Sequence, residues 1–385
     1  MSLLMTINSR KAFTLLSLNG NSFFKSSNPS SRQHLIRYTR SYNPTFVALQ
    51  EIDGSDANNV QHLNILHQQF CSQQSLWTKY CGLLCFDPQY SLTRIPLPED
   101  SRCILAQVSH VTGNMAPFHI LVTYAPASSH RARLEFFNTL LTFRQLSPLD
   151  PLSCIDRMII AGDFNYSLPQ SSSSQGSRAP ERWLQFLQCH FQNVMAELRS
   201  LDTATFRRGA TTRSTIDYIY LSLDMAINYV DADVDFVNSA WTDHALMSVT
   251  LKADLLTDTG PGIWRANPMF TRSKEYRQKL ARMLTKLYDQ QIATSSEPPQ
   301  ELWDMVKTKV KHFTRKFGRQ HVDWRKQQLM ALQRKRQRLL KGKIPSSLLA
   351  IHLPRVEQQI QILQEEVTSI AILKAVENLA GKGRD

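Results

Sequence analysis

Short apolar runs recur through the first two thirds of the chain, at residues 13–18, 45–49, 104–109, 118–124, 158–161, 216–221 and 246–251. Several are apolar on consecutive positions, the pattern of strands buried on both faces. Between them the spacing shifts to the helical period, at residues 131–143 and 181–198. Strands alternating with helices in this way predict an α/β or α+β domain of layered sheets with outer helices. Residues 1–16, interrupted by Ser9, Arg10 and Lys11, lack the order of a secretory signal and predict the first strand with its lead-in. Residues 167–180, with Ser171 to Ser174 in a row, cannot pack a core and predict a flexible surface loop.

Gly260, Pro261 and Gly262 mark a domain boundary. Beyond them the pattern is helical, with breaks at residues 295–299 and 344–347. Val356, Ile360, Leu363, Val367 and Ile370 form a heptad-like seam, for which Leu329, Leu332 and Leu339 supply a facing stripe, predicting an antiparallel helical hairpin. The organisation expected is therefore residues 1–255 as the α/β domain, 256–300 as linker and first connector helix, and 301–385 as a basic helical region.

Composition adds a core and charge adds a partner. A chain of 385 residues that is 42% hydrophobic can bury a sizeable core, and no run of about 18 apolar residues predicts a membrane span. The net charge of +13 is unevenly placed: residues 1–260 carry 20 basic against 21 acidic side chains, and residues 261–385 carry 25 against 11. The excess positive charge lies in the tail, which suits either a polyanionic partner or a solvated helical surface. Six scattered cysteines without CxxC pairs point to a reducing interior and buried thiols; Cys81 and Cys85 have no second pair to complete a zinc site.

Five segments at the ends of expected strands concentrate acids and amides: Ser17 to Asn21, Ala48 to Glu51, Ala161 to Asn165, Ser214 to Tyr218 and Trp241 to His244. An ionised carboxylate at a sheet rim is tolerated when it binds metal, a cation or donors. Glu51, with Asn19 or Asp243, supplies hard oxygen ligands for Mg²⁺ or Mn²⁺, and His244 oriented by Asp217 supplies a fixed imidazole tautomer. Singly, each has a plainer reading: Asp163 as a turn residue, His244 as a structural histidine, Tyr124 as a strand-end aromatic, Asn19 and Asn21 as a turn around Gly20.

Their order is what distinguishes them. Leu-Asn-Gly-Asn (18–21), Leu-Gln-Glu (49–51), Thr-Tyr-Ala-Pro (123–126), Gly-Asp-Phe-Asn (162–165), Ile-Asp-Tyr (216–218) and Asp-His (243–244) resemble the motif series of the endonuclease/exonuclease/phosphatase superfamily. The resemblance implies a four-layer α/β sandwich, two mixed sheets face to face with helices outside. It makes Glu51 the principal metal ligand, with Asn19 and Asn21 beside the metal and Asp243 completing that side. Asp163 would handle the water proton, Asn165 would orient nucleophile or phosphate, Tyr124 would bond the phosphate, and His244 held by Asp217 would contact the scissile phosphate. Two positions depart from many relatives: Asn21 stands where Asp is common, and Ser214-Thr215-Ile216-Asp217 lacks an arginine.

Gly260-Pro261-Gly262-Ile263-Trp264-Arg265-Ala266-Asn267, Phe270 and Trp303-Asp304 with Lys307 resemble the connector between endonuclease and reverse transcriptase in LINE-type retrotransposons, and no reverse-transcriptase motif follows before Asp385. The chain therefore reads as a fragment or stand-alone remnant that keeps nuclease and connector. Trp264 and Trp303 read as hydrophobic anchors of that connector. The activity implied is a Mg²⁺-dependent endonuclease that nicks one strand of DNA, acting in the nucleus or cytoplasm and not secreted. The alternatives are another phosphoesterase, such as an AP endonuclease or small-ester hydrolase, and an inactive remnant that binds nucleic acid. Arg207, Arg208 and Arg213 are candidate phosphate contacts, and the basic helices from Lys307 onward are candidates for RNA or DNA.

Overall fold

The strands pair into two sheets, and the parity of each strand says which face meets which. In the computed structural model the described residues are 12–22, 29–52, 60–97, 101–113, 115–168, 179–196, 204–208, 212–253, 270–271, 273–293, 297–321, 324–341 and 345–382. Most of the expected loop at 167–180 and the connector motif at 260–267 lie outside them.

The first unit comprises residues 1–258 and 332–385. Its first sheet contains β1 (Ala12–Asn19), β2 (Phe46–Gln50), β3 (Gln74–Trp77) and β4 (Cys81–Cys85). The second contains β5 (Tyr90–Ile95), β6 (Cys103–His110), β7 (Phe118–Tyr124), β8 (Met158–Asp163) and β9 (Phe191–Asn193). A small hairpin, β10 (Phe206–Arg208) with β11 (Thr212–Ser214), precedes β12 (Asp217–Ser222), and β13 (Tyr229–Asp235) and β14 (Leu246–Lys252) follow. The strand orders are β13-β14-β1-β2-β4-β3 and β5-β6-β7-β8-β12-β9. Each sheet is mixed: β1 with β2 and β7 with β8 are parallel, and the other pairs are antiparallel.

Phe13, Leu15, Phe46 and Ala48 from one sheet and Ile120, Val122, Ile159, Ala161, Ile219 and Leu221 from the other share one buried core, the interior of the sandwich. The intervening residues of the second sheet, Leu121, Met158, Ile160, Tyr218 and Tyr220, point to the opposite face. There they form a second core with Phe137 of α3 (His130–Leu140) and Trp183 of α4 (Glu181–His190). The outer side of the first sheet meets α1 (Pro29–Arg40) where Tyr42, just past the helix, donates to Asp235, and α2 (Val60–Phe70) along β3. This is the four-layer α/β sandwich. All seven apolar runs are strands, and burial on both faces explains the unbroken hydrophobicity of those such as β2 and β8.

The expected helix at 181–198 departs from its sequence pattern. It ends at His190, and Phe191 to Asn193 become β9 by pairing with the edge of β12, so an available sheet edge overrides the local period. A further short helix, α5 (Leu223–Ala226), follows β12. All six cysteines are free, with Cys81 and Cys85 buried in β4.

The second unit spans residues 259–331. Within it α6 (Lys274–Leu287) starts at Ser273, whose side chain accepts from the Tyr276 N–H at 3.3 Å. Tyr276 and Phe317 of α7 (Pro299–His321) cross edge to face at 4.9 Å, and the Tyr276 hydroxyl bonds Thr314 at 2.7 Å. Trp303, expected as an anchor, is exposed. The helix α8 (Trp324–Lys341) crosses the division at Leu332, and α9 (Ser346–Lys382) belongs wholly to the first unit. The region 301–385 is thus shared between the two units. No helix among the described residues is long and apolar enough to cross a membrane.

One close approach holds the second sheet together. A Cβ on Gly162 would stand 1.9 Å from the Thr123 carbonyl oxygen, so only glycine permits β7 and β8 to pair at that point. We expect Gly162→Ala to lower stability by about 3 kcal/mol, the upper range of overpacking. Gly113→Ala, at φ +68 in open space, serves as comparison and is expected to cost about 1 kcal/mol in urea unfolding.

Candidate active site

The registers that build the sheets also gather the chemistry. Tyr124 is opposite Asp163 across the parallel β7–β8 pair, and Asp217 is opposite Asp163 across the antiparallel β8–β12 pair. Side chains directly opposite one another share a face. Asp163 follows Ile159 and Ala161 in parity, Asp217 precedes Ile219, and Tyr124 follows Val122, so all three point between the sheets. Asn19 continues the inward parity of Phe13 and Leu15 on β1. The expected residues therefore converge at one end of the sandwich, beyond the last apolar layer.

Asp163 is buried, and each of its oxygens has a donor. Asn19 Nδ2 donates to Oδ2 at 2.9 Å and the Asn165 N–H donates to Oδ1 at 2.9 Å. Asn19 Oδ1 in turn accepts the Asn21 N–H at 2.8 Å. Asn165 Nδ2 donates to the Ala125 carbonyl at 2.8 Å, tying the strand end after Asp163 to that after Tyr124. Asn21, Glu51 and Asn165 all have left-handed backbones, at φ 45, 50 and 51. Non-glycine residues held there carry strain, and here they are at the three turns that leave the sheets at this end. Glu51 is half-buried, and its carbonyl accepts the Ser22 N–H at 2.8 Å.

His244 and Asp217 are both buried, with Nδ1 at 3.0 and 3.1 Å from the two carboxylate oxygens. That contact occupies Nδ1 and leaves Nε2 for other partners. The ligand atoms of Asp163, Asp217 and His244 all lie within 4.8 Å of one another, a buried group able to hold a metal ion. Asp243 is on the rim; its carboxylate pairs with Arg208 Nη2 at 3.4 Å and stands 3.9 Å from His244 Nε2.

Burial and the neighbouring Asp217 push the Asp163 carboxyl up to about 7. For His244 burial opposes the charged ring, but the Asp217 carboxylate outweighs it and raises the imidazole to about 9. Burial, followed by the charges of Glu51 and Asp163, holds the Tyr124 phenol well above its usual range. Glu51 thus lies near enough to Tyr124 to act on it.

The three candidate arginines separate. Arg207 is largely buried, with its guanidinium on Glu357 of α9, while Arg208 and Arg213 are exposed. The structure also brings in residues that sequence reasoning did not place in the site. Thr205 Oγ1 accepts both the Ile216 and the Asp217 N–H, at 3.0 and 3.1 Å. Thr242 Oγ1 donates to the Asn19 carbonyl at 2.8 Å and accepts the His244 N–H at 3.1 Å. Arg102 lies between two rings, 4.3 Å from the centre of Tyr80 and 5.1 Å from that of Tyr124. Thr242 sits beside Asp-His in sequence and had that signal; Arg102 and Tyr80 had none, because only folding makes them neighbours of Tyr124.

The donor set fits a hard divalent cation, since carboxylates dominate it and the strand-end amides add neutral oxygens. Among solved structures, the endonuclease domain of TRAS1, a telomere-specific non-LTR retrotransposon, is 13% identical with a TM-score of 0.45 and covers 63% of this chain and 99% of its own. An AP endonuclease from Archaeoglobus fulgidus is 15% identical with a TM-score of 0.48, over 62% and 99%. Danio rerio TDP2, complexed with single-strand DNA product, is 15% identical at 0.45, over 63% and 99%. No curated protein sequence matches. The model of the Endonuclease/Exonuclease/phosphatase family matches residues 16–244, from β1 to His244, and the chain belongs to that family.

Proposed function

We propose that the chain is a Mg²⁺-dependent DNA endonuclease of retrotransposon origin that nicks one strand and leaves a 3′ hydroxyl. The observation that carries the reading is the buried Asp163, Asp217 and His244 group at the strand ends beside Tyr124 and Asn165. The retroelement assignment is supported by the connector motif at residues 260–267.

Glu51, with Asn19, Asn21 and Asp243, would hold Mg²⁺, or Mn²⁺ in its place. When bound, the ion neutralises a phosphate oxygen and lowers the pKa of bound water. Asp163, with its carboxyl at about 7, can take a proton from the attacking water near neutral pH. Asn165 holds that carboxylate through its N–H. His244 stays cationic at neutral pH because Asp217 holds Nδ1, so its Nε2–H can donate to the scissile phosphate. Tyr124 keeps its phenolic proton and donates to the same phosphate. Arg208 and Arg213 would meet the DNA backbone, and nuclear DNA would be the site of action.

One observation favours a second reading, an inactive remnant that binds nucleic acid: Asp243 is paired with Arg208. Arg208 is three-quarters exposed there, so the pair is weak and a divalent cation would displace it. Lys307, Lys309, Arg334, Lys335 and Arg338 are exposed and would serve RNA or DNA binding in either reading.

Purified full-length protein is expected to relax supercoiled plasmid with Mg²⁺ and not with EDTA, and Glu51→Ala and His244→Ala to slow it by about 10³-fold. Folded wild-type protein that leaves the plasmid supercoiled would sink the nuclease reading. Faster cleavage of an abasic duplex or a small phosphoester would instead identify another chemistry of the family.

Protonation of the site also sets a stability profile in EDTA. Native Asp163 keeps its proton to about 7 against a reference of 3.8, and native His244 to about 9 against 6.5. In both windows the native state binds more protons than the unfolded chain, so stability falls as pH rises. We expect Tm to decline from pH 4 to 9, with Asp163→Asn flattening the part below about 7 and His244→Gln the part above about 6.5. A Tm that rises across this range would refute the assigned protonation states.

A further inference from the structure

The loop that delivers His244 is held from outside the sandwich. Between β13 and Asp243, Phe236, Val237, Asn238, Trp241 and Thr242 are buried. The C-terminal helices meet this loop. Gln333 of α8, itself buried, accepts the Phe236 N–H at 3.3 Å and donates to the Phe236 carbonyl at 2.8 Å. Gln364 of α9, fully buried, donates to the same carbonyl at 2.7 Å. Glu365 accepts from Asn238 Nδ2 at 2.8 Å. A buried loop has no ladder partner for its backbone groups, and here two glutamines supply one.

The same helices reach the other side of the histidine. Glu357 of α9 takes the guanidinium of Arg207 in β10, and Arg336 of α8 through Nε at 2.9 Å. The two guanidiniums lie 5.8 and 5.0 Å from the centre of the Phe236 ring. From β10 the path to the site is short: the Arg207 N–H donates to the Asp243 carbonyl at 2.9 Å, and the Phe206 ring is 5.0 Å from that of His244. From the loop it runs through Thr242, which bonds both His244 and Asn19.

We propose that α9 and the part of α8 from Leu332 belong to the catalytic unit as a clamp. Gln333, Gln364 and Glu357 are positioning residues that hold the segments on either side of His244. The catalytic consequence rests on the nuclease reading above; the clamp itself does not. Glutamines facing a loop backbone and a partly buried glutamate shared by two arginines are more specific than the apolar packing needed to cover a surface. The boundary expected at residue 255 therefore cuts the functional unit away from part of its support.

The test uses the full chain carrying Gln333→Leu with Gln364→Leu, and separately Glu357→Gln, compared with wild type by amide hydrogen exchange and by plasmid nicking. Exchange at residues 242–245 is expected to accelerate at least about tenfold, with β7 and β8 unchanged, and kcat to fall about tenfold with KM within twofold. Uniform acceleration across the unit, the mark of simple destabilisation, overturns the proposal, as does unchanged exchange at 242–245. Should the double variant not fold, Glu357→Gln decides by the same pattern. If wild type does not nick, the nuclease reading and the catalytic role fall together, while the exchange pattern still decides whether the clamp exists.

Discussion

The position of β8 between a parallel and an antiparallel neighbour is the constraint on which the site depends. Its last residue, Asp163, is aligned with Tyr124 on one side and Asp217 on the other, and cross-strand partners share a face. A slip of one residue in either pairing would send a site side chain to the outer face and an apolar neighbour into the cleft. Gly162 enforces the alignment on the β7 side, since any Cβ there collides with the Thr123 backbone.

The geometry has an electrostatic cost. Two carboxylates and an imidazole share a buried space, and the protein offsets this with donors and with retained protons. Asn19 and the Asn165 N–H hold Asp163, and Asp217 holds both the His244 ring and the Thr205 hydroxyl through its own N–H. A group so arranged is a poor contributor to stability and a good instrument for moving protons and binding cations. The left-handed turns at Asn21, Glu51 and Asn165 show the same exchange on the backbone side.

Support for the site extends beyond the two sheets. The loop leading to His244 passes beneath α9, and β10 beside it is tied to the same helix through Arg207. Arg207 differs from Arg208 and Arg213 in that α9 covers it and Glu357 gives it a partly buried partner, while the other two remain exposed. The stripe of α9 expected to face its neighbouring helix has a second obligation, since α9 also packs on α1, where His34 bonds Thr368 at 2.6 Å.

Most of the sandwich was determined by the sequence alone, because strands buried on both faces have no polar period and read directly as apolar runs. The motif series likewise marked Asn19, Glu51, Asp163, Asp217 and His244, since strand ends are where acids and amides interrupt such runs. The last turn of residues 181–198 was not legible, as a free sheet edge drew Phe191 to Asn193 out of the helical period. Nor was the placement of Arg102 against Tyr80 and Tyr124, or of Gln333, Gln364 and Glu357 around the His244 loop. Periodicity encodes which face of an element is buried, a local property. Which distant element covers that face is decided by packing and by the search of buried polar groups for partners, and only the tertiary structure settles it.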